Sequence, residues 1–187
     1  MTNHPMKYLF RFCLLVAIQV LVLNKINLRW WAVPGTFPLF VPYLYPILLL
    51  TLPFSTRVPA LLAVGFLLGL SVDVFSNTAG MHASACVLVA YLRTNVLAAL
   101  LPKHLSEYGR LEPTVKTMGW FPFFTYAAVL LFAHHLLYFI LQFWSGVSIG
   151  MLALKILCSL LTSLVLVLAY VLLFTRQSPL LNTSGSS

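Results

Sequence analysis

The sequence predicts an all-α integral membrane protein with six transmembrane helices. Composition, span length and charge placement each point there. Of 187 residues, 61% are apolar and 7% charged, and the mean hydropathy is +0.98. A soluble domain carries roughly 45–50% apolar and about 25% charged residues. Apolar runs recur near the length of about 20 residues that a spanning helix needs. No segment between them is long enough to bury a soluble core of its own. The chain therefore reads as one membrane domain over residues 1–177, and the polar, small-residue tail at 178–187 is expected to be disordered.

The first span is Met6 to Leu23. It has the basic start and apolar middle of a signal peptide, but Asn24-Lys25-Ile26-Asn27 lacks the small-x-small cleavage pattern, so a retained helix is expected. Lys25, Arg29, Trp30 and Trp31 follow, and paired tryptophans suit the membrane interface. Pro34, Pro38 and Pro42 predict extended or irregular chain. The second span is Leu39 to Phe54, short and kinked by Pro46. The third, Val58 to Phe75, begins with Pro59 in its first turn, where a missing N–H is harmless. Its Gly65 and Gly69 stand four apart, the small-xxx-small spacing that lets helices approach closely in lipid.

The fourth span runs from Gly80 to Pro102, behind a turn at Ser76-Asn77-Thr78-Ala79-Gly80. Lys103 to Thr117 is the longest polar loop and holds both glutamates. The fifth span, Trp120 to Trp144, and the sixth, Ile149 to Phe174, are joined by a short turn at residues 145–148. Six spans place both termini on one side. That side carries eight of the eleven Lys and Arg residues: Lys7, Arg11, Arg57, Arg93, Lys103, Arg110, Lys116 and Arg176. The positive-inside rule makes it the cytoplasm, so the turn after Asp73 faces outward. The net charge of +8 is spread singly and in loose pairs at span ends, which fits lipid contact and not a nucleic-acid surface.

Asp73 is the sole aspartate, and an intramembrane carboxylate is a functional candidate by default. It sits just before the turn and His82 just after, where it can organise the hairpin, pair with His82 or meet a partner. Arg93 lies eleven residues beyond His82, about 16 Å along a helix, and reads as a cytoplasmic-side anchor. Lys155 reads as an outer-interface snorkel. His134 and His135 point about 100° apart on one helix and read as polar contacts within the bundle. Cys13, Cys86 and Cys158 form no close pair and read as small apolar side chains. No phosphate cradle, nucleophile elbow or His-Glu-x-x-His run is present. Neither catalysis nor a cofactor is expected.

The stretch Phe66-Leu-Leu-Gly69-Leu-Ser-Val-Asp73-Val-Phe-Ser-Asn-Thr-Ala-Gly80-Met-His82-Ala83 resembles the rod shape-determining protein MreD family. That family carries G-L-x-x-D and then a small polar turn with G-x-H-A. Pro42-Tyr-Leu-Tyr-Pro-Ile-Leu-Leu-Leu-Thr-Leu-Pro53 looks like the preceding helix of some members. The resemblance covers about residues 6–177. It implies a non-enzymatic component of the bacterial cell-wall elongation machinery, with MreC as the expected partner. A RodA-type glycosyltransferase, its penicillin-binding transpeptidase and MreB complete the wider complex. It further implies a fold similar to the substrate-binding subunits of energy-coupling-factor transporters. Gly69, Asp73, Gly80 and His82 are the positions it carries over, none with a catalytic role. A small-solute-binding transporter subunit is the alternative. That reading wants a polar pocket in the outer half, and the sequence is sparse in pocket-type polar residues.

Overall fold

A computed structural model describes residues 4–25, 38–144 and 148–174, and among these it is helical and contains no strand. Five helices are long and apolar enough to cross a membrane. They are α1 (His4–Leu21), α3 (Val58–Ser76), α4 (Met81–Leu100), α7 (Trp120–Gln142) and α8 (Ile149–Phe174). Between them lie three four-residue helices: α2 (Ile47–Leu50), α5 (Leu105–Tyr108) and α6 (Val115–Met118). At 1.5 Å per residue the five long helices measure about 27–39 Å, close to the ~30 Å hydrocarbon layer. The chain is an all-α membrane protein by this measure. The predicted turn at 145–148 lies largely outside the described residues. So do Arg29, Trp30, Trp31, Arg176 and the tail.

The polarity of α8 is the reverse of a soluble helix. Leu157, Leu161, Val165 and Leu172 are exposed along one stripe, while Ser159 and Ser163 are fully buried on the other face. Lipid is as apolar as leucine, so small polar residues gather at helix contacts.

Residues 39–54 differ from expectation. They do not form a spanning helix. Only α2 is helical, and Pro38 to Leu44 is irregular. The segment is nonetheless almost wholly buried, with Tyr45, Ile47, Leu49 and Leu50 at 0% exposure. Backbone without its own hydrogen-bond ladder survives at membrane depth only inside protein. Side chains supply the missing partners here. Ser159 accepts from the Val41 N–H at 3.2 Å and donates to the Leu39 carbonyl at 3.1 Å. Ser163 accepts from the Tyr43 N–H at 3.0 Å. Gln19 donates to the Pro42 carbonyl at 3.1 Å and accepts from the Leu44 N–H at 2.9 Å. Tyr126 donates to the Leu50 carbonyl at 3.0 Å, and Arg93 donates to the carbonyls of Leu52 and Pro53.

Arg93 is thus not an exposed anchor. It is 1% exposed, and its guanidinium closes the C-terminal end of the buried segment. Three prolines had already removed donors from residues 38–46, and α1 and α8 satisfy the N–H groups of Val41, Tyr43 and Leu44.

The two ends of the bundle differ. At one end, Lys7, Tyr8 and Arg11 at the start of α1 converge on Glu112, at 2.7, 2.8 and 3.0 Å. Phe54 and Ser55 hydrogen-bond the same loop through the carbonyls of Leu111 and Gly109. Burial pushes the Glu112 carboxyl up, but these three donors outweigh it and hold it below its ordinary value of 4.5. At the other end, the α3–α4 turn lies beside the end of α1, where Asn24 donates to Ser76 at 2.9 Å. The buried segment runs between these ends, from the neighbourhood of His82 to that of Arg93.

Candidate functional site

The α3–α4 hairpin is built by the residues the sequence singled out. α3 stops at Asn77, whose φ of 53° is left-handed, and the N–H groups of Asn77 and Thr78 bond back to the Asp73 carbonyl. Asparagine tolerates that geometry. Gly80 follows with φ 77° and opens α4 without a capping side chain of its own. The cap comes from the previous helix. The Asp73 carboxylate accepts from the N–H of His82 at 3.1 Å and of Ala83 at 2.8 Å, and from the Thr78 hydroxyl. A negative charge on exposed first-turn donors stabilises a helix by roughly 0.3–2 kcal/mol, and each charge-assisted bond adds about 1.5–3 kcal/mol against leaving its donor unmade. This is why one carboxylate is tolerated at 2% exposure. Asp73 therefore meets the backbone of His82 and not its ring.

Gly69 makes the cap possible. A Cβ there would lie 2.4 Å from the Ala83 Cα and from the His82 carbonyl oxygen. Gly65 is one turn back, where a Cβ would meet the Cys86 carbonyl oxygen at 3.0 Å and the Ala90 Cβ at 3.2 Å. The glycine stripe of α3 lies against the small residues of α4. That contact brings Asp73 within bonding distance of the α4 backbone.

The His82 ring turns the other way, into a polar cluster that residue spacing did not reveal. Its Nδ1 is 2.8 Å from the Tyr45 hydroxyl, and that hydroxyl is 2.6 Å from His134 Nε2. Tyr138 stacks on His82 with ring centroids 4.4 Å apart. Tyr45 has one proton, so it donates to one imidazole and accepts from the other. His134 Nδ1 is buried without a partner. Orphaned buried N–H groups are rare, which favours an unprotonated Nδ1. The arrangement that leaves His134 with no orphaned N–H has His134 donating from Nε2 to Tyr45, Tyr45 donating to His82 Nδ1, and His82 carrying its proton on Nε2.

His135 is fixed separately. Its Nδ1 lies 2.6 Å from the Leu131 carbonyl and must donate, so Nε2 accepts from the Ser163 hydroxyl at 3.1 Å. His134 and His135 therefore serve two different contacts, and His135 supports the serine that holds Tyr43.

Beside His82, at the turn end, lies a cavity of about 290 Å³. Asn24, Ser76, Thr78, Tyr138, Gln142 and Lys155 are polar residues of its wall, and Phe40 and the ring of Tyr43 are apolar ones. Lys155 is 6% exposed, with its ammonium 5.0 Å and 4.4 Å from the ring centroids of Phe139 and Phe143. It is not the snorkelling side chain the sequence suggested. The polar pocket for which the sequence offered little signal is assembled from the 3-10 turn after α1, the buried segment, the α3–α4 hairpin from Ser76 to His82, α7 and α8. Among the described residues, no three of His, Cys, Asp and Glu come together to hold a metal ion.

No protein-family model matches the chain, and neither a curated protein nor a solved structure matches it.

Proposed function

We propose that this protein is a non-enzymatic scaffold of the bacterial cytoplasmic membrane that maintains cell shape by binding an MreC-type partner. In this reading it belongs to the wall-elongation complex with a RodA-type glycosyltransferase, a penicillin-binding transpeptidase and MreB. The sequence likeness over Phe66–Ala83 suggests it. One observation carries it: the residues of that stretch serve shape. Gly69 sets the helix approach and Asp73 caps α4. The other two carboxylates are engaged as well, Glu112 by the start of α1 and Glu107 in the capping box of α5. All three acids hold the structure together, which supports a scaffold over an acid–base enzyme.

The chain crosses the membrane six times in this reading, and the buried segment 38–54 makes the second crossing without a long helix. Both termini are cytoplasmic and the Ser76–Gly80 turn faces outward. The fold is the one shared with the substrate-binding subunits of energy-coupling-factor transporters. A partner meets the turn and the end of α3, where Val74 and Phe75 are 71% and 67% exposed. Asp73 shapes that surface from beneath.

Co-expression with an MreC-type protein, followed by purification on a tag carried by this chain, tests the proposal. Wild type should retain the partner, and Phe75→Asn should lose most of it at equal chain level. Equal recovery with wild type, Phe75→Asn and Asp73→Asn would remove the turn as the docking face. A periplasm-active reporter fused after Asn77 should be active and one after Tyr108 silent; the opposite pattern overturns the orientation.

A further inference from the structure

The cavity at the turn end holds features that a scaffold does not require. His82 is 2% exposed, and its Nδ1 is engaged by Tyr45. Among the described residues, two buried side-chain atoms lack partners, Arg93 Nε and His134 Nδ1. His82 Nε2 is not one of them, and no hydrogen bond reaches it from the described residues. His82 is one of the residues lining the cavity. With its proton on Nε2, it has an N–H to offer there.

Tyr138, Gln142 and Lys155 line the same cavity, with Asn24, Ser76 and Thr78 as neutral polar neighbours. Asp73 does not line it, and both oxygens of that carboxylate are turned to the α4 backbone. Among the described residues lining the cavity, the one formal charge is therefore positive. The remaining wall includes Phe40 and Tyr43. A volume of about 290 Å³ has room for roughly ten water-sized groups. Ligand sites are commonly apolar clefts with a few fixed polar groups.

We propose that this cavity binds a small carboxylate with an apolar body of about ten non-hydrogen atoms. The carboxylate is received by the His82 Nε2–H and the Lys155 ammonium, and the apolar part lies against Phe40 and Tyr43. A free carboxylic acid and the head of a fatty acid in the outer leaflet share this chemistry. Ser76 and Thr78 of the turn line the cavity while Val74 and Phe75 do not, and binding is read on this chain alone, without the partner.

The test uses the full chain in phosphatidylcholine nanodiscs at pH 7, with benzoate as the probe, read by titration calorimetry. Benzoate should bind saturably, and its neutral isostere benzamide about tenfold more weakly, because the charge-assisted bonds go to the carboxylate. Lys155→Met should weaken benzoate about tenfold with little change for benzamide. His82→Phe keeps the ring on Tyr138 and should weaken benzoate similarly. Each variant's thermal unfolding is measured alongside, and Lys155→Met keeps the test decisive if His82→Phe does not fold. Oleate doped into the disc and displacing benzoate identifies a lipid head as the source; benzoate binding indifferent to oleate identifies a soluble acid. No saturable binding in the millimolar range, equal binding of benzoate and benzamide, or Lys155→Met binding like wild type overturns the site.

Discussion

Replacing Gly69 with alanine should destabilise the protein by about 2–5 kcal/mol, although alanine is ordinarily the better helix former by roughly 1 kcal/mol. The sign reverses because of the contact across the hairpin. The new Cβ would stand 2.4 Å from the Ala83 Cα, and ordinary contact begins near 3.4 Å, so α3 and α4 must part by about 1 Å there. Overpacking of this kind typically costs about 1–3 kcal/mol. The same movement stretches the Asp73 bonds to the N–H groups of His82 and Ala83, now 3.1 and 2.8 Å, past useful length. Losing one of them outright adds about 1.5–3 kcal/mol, offset in part by the helix preference of alanine.

Gly150 supplies the control. A Cβ there meets nothing within 4 Å, so Gly150→Ala should be neutral or mildly stabilising. Unfolding of both variants by SDS titration in mixed micelles, followed by circular dichroism, gives the comparison. A Gly69→Ala protein as stable as wild type would refute the close approach as the basis of the cap.

Three further predictions rest on separate contacts. Tyr45→Phe leaves His82 Nδ1 and His134 Nε2 without their shared hydroxyl and should cost about 2–5 kcal/mol in the same titration; the pair Tyr45→Phe with His134→Leu should recover part of that loss. Ser163→Ala removes partners from the Tyr43 N–H and from His135 Nε2, and should lower stability by about 1–3 kcal/mol while Ser71→Ala, which loses only a bond to the Leu67 carbonyl of its own helix, changes little. The Glu112 carboxyl is held below 4.5, so the unfolded chain takes up its proton first as pH falls. The stability it contributes is present above 4.5 and lost as pH drops through the lower folded value. Hydrogen exchange in residues 6–12 should accelerate across that range, and Glu112→Gln should show the fast exchange already at pH 7.

Much of the helical frame was legible. Helices α3, α4, α7 and α8 lie on the apolar runs read at 58–75, 80–102, 120–144 and 149–174, with α4 and α7 ending slightly short at Leu100 and Gln142, because lipid leaves little choice for long apolar segments. The turn at 76–80 was legible too, but the sequence left Asp73 open between organising the hairpin, pairing with His82 and meeting a partner; the fold adds its bonds to the N–H groups of His82 and Ala83. Residues 39–54 were misread as a helix because their apolar content matches a span. What makes them irregular is their partners, Gln19, Tyr126, Ser159 and Ser163, which lie up to about 120 residues away and leave no local pattern. Arg93 and Lys155 were misplaced for the same reason. A basic residue near a span end normally reaches for water, and only the fold shows the carbonyls of Leu52 and Pro53, or the rings of Phe139 and Phe143, waiting for it. The cavity was invisible because its wall draws on five separate segments.

The central claim is that this chain holds an MreC-type protein in the membrane. It is tested most directly by co-expressing the two and measuring the mass of the complex eluted in mild detergent by size-exclusion chromatography with light scattering. A single species containing both chains in fixed ratio is the predicted result. Two separately eluting proteins, with this chain folded and stable by its own unfolding curve, would contradict the account.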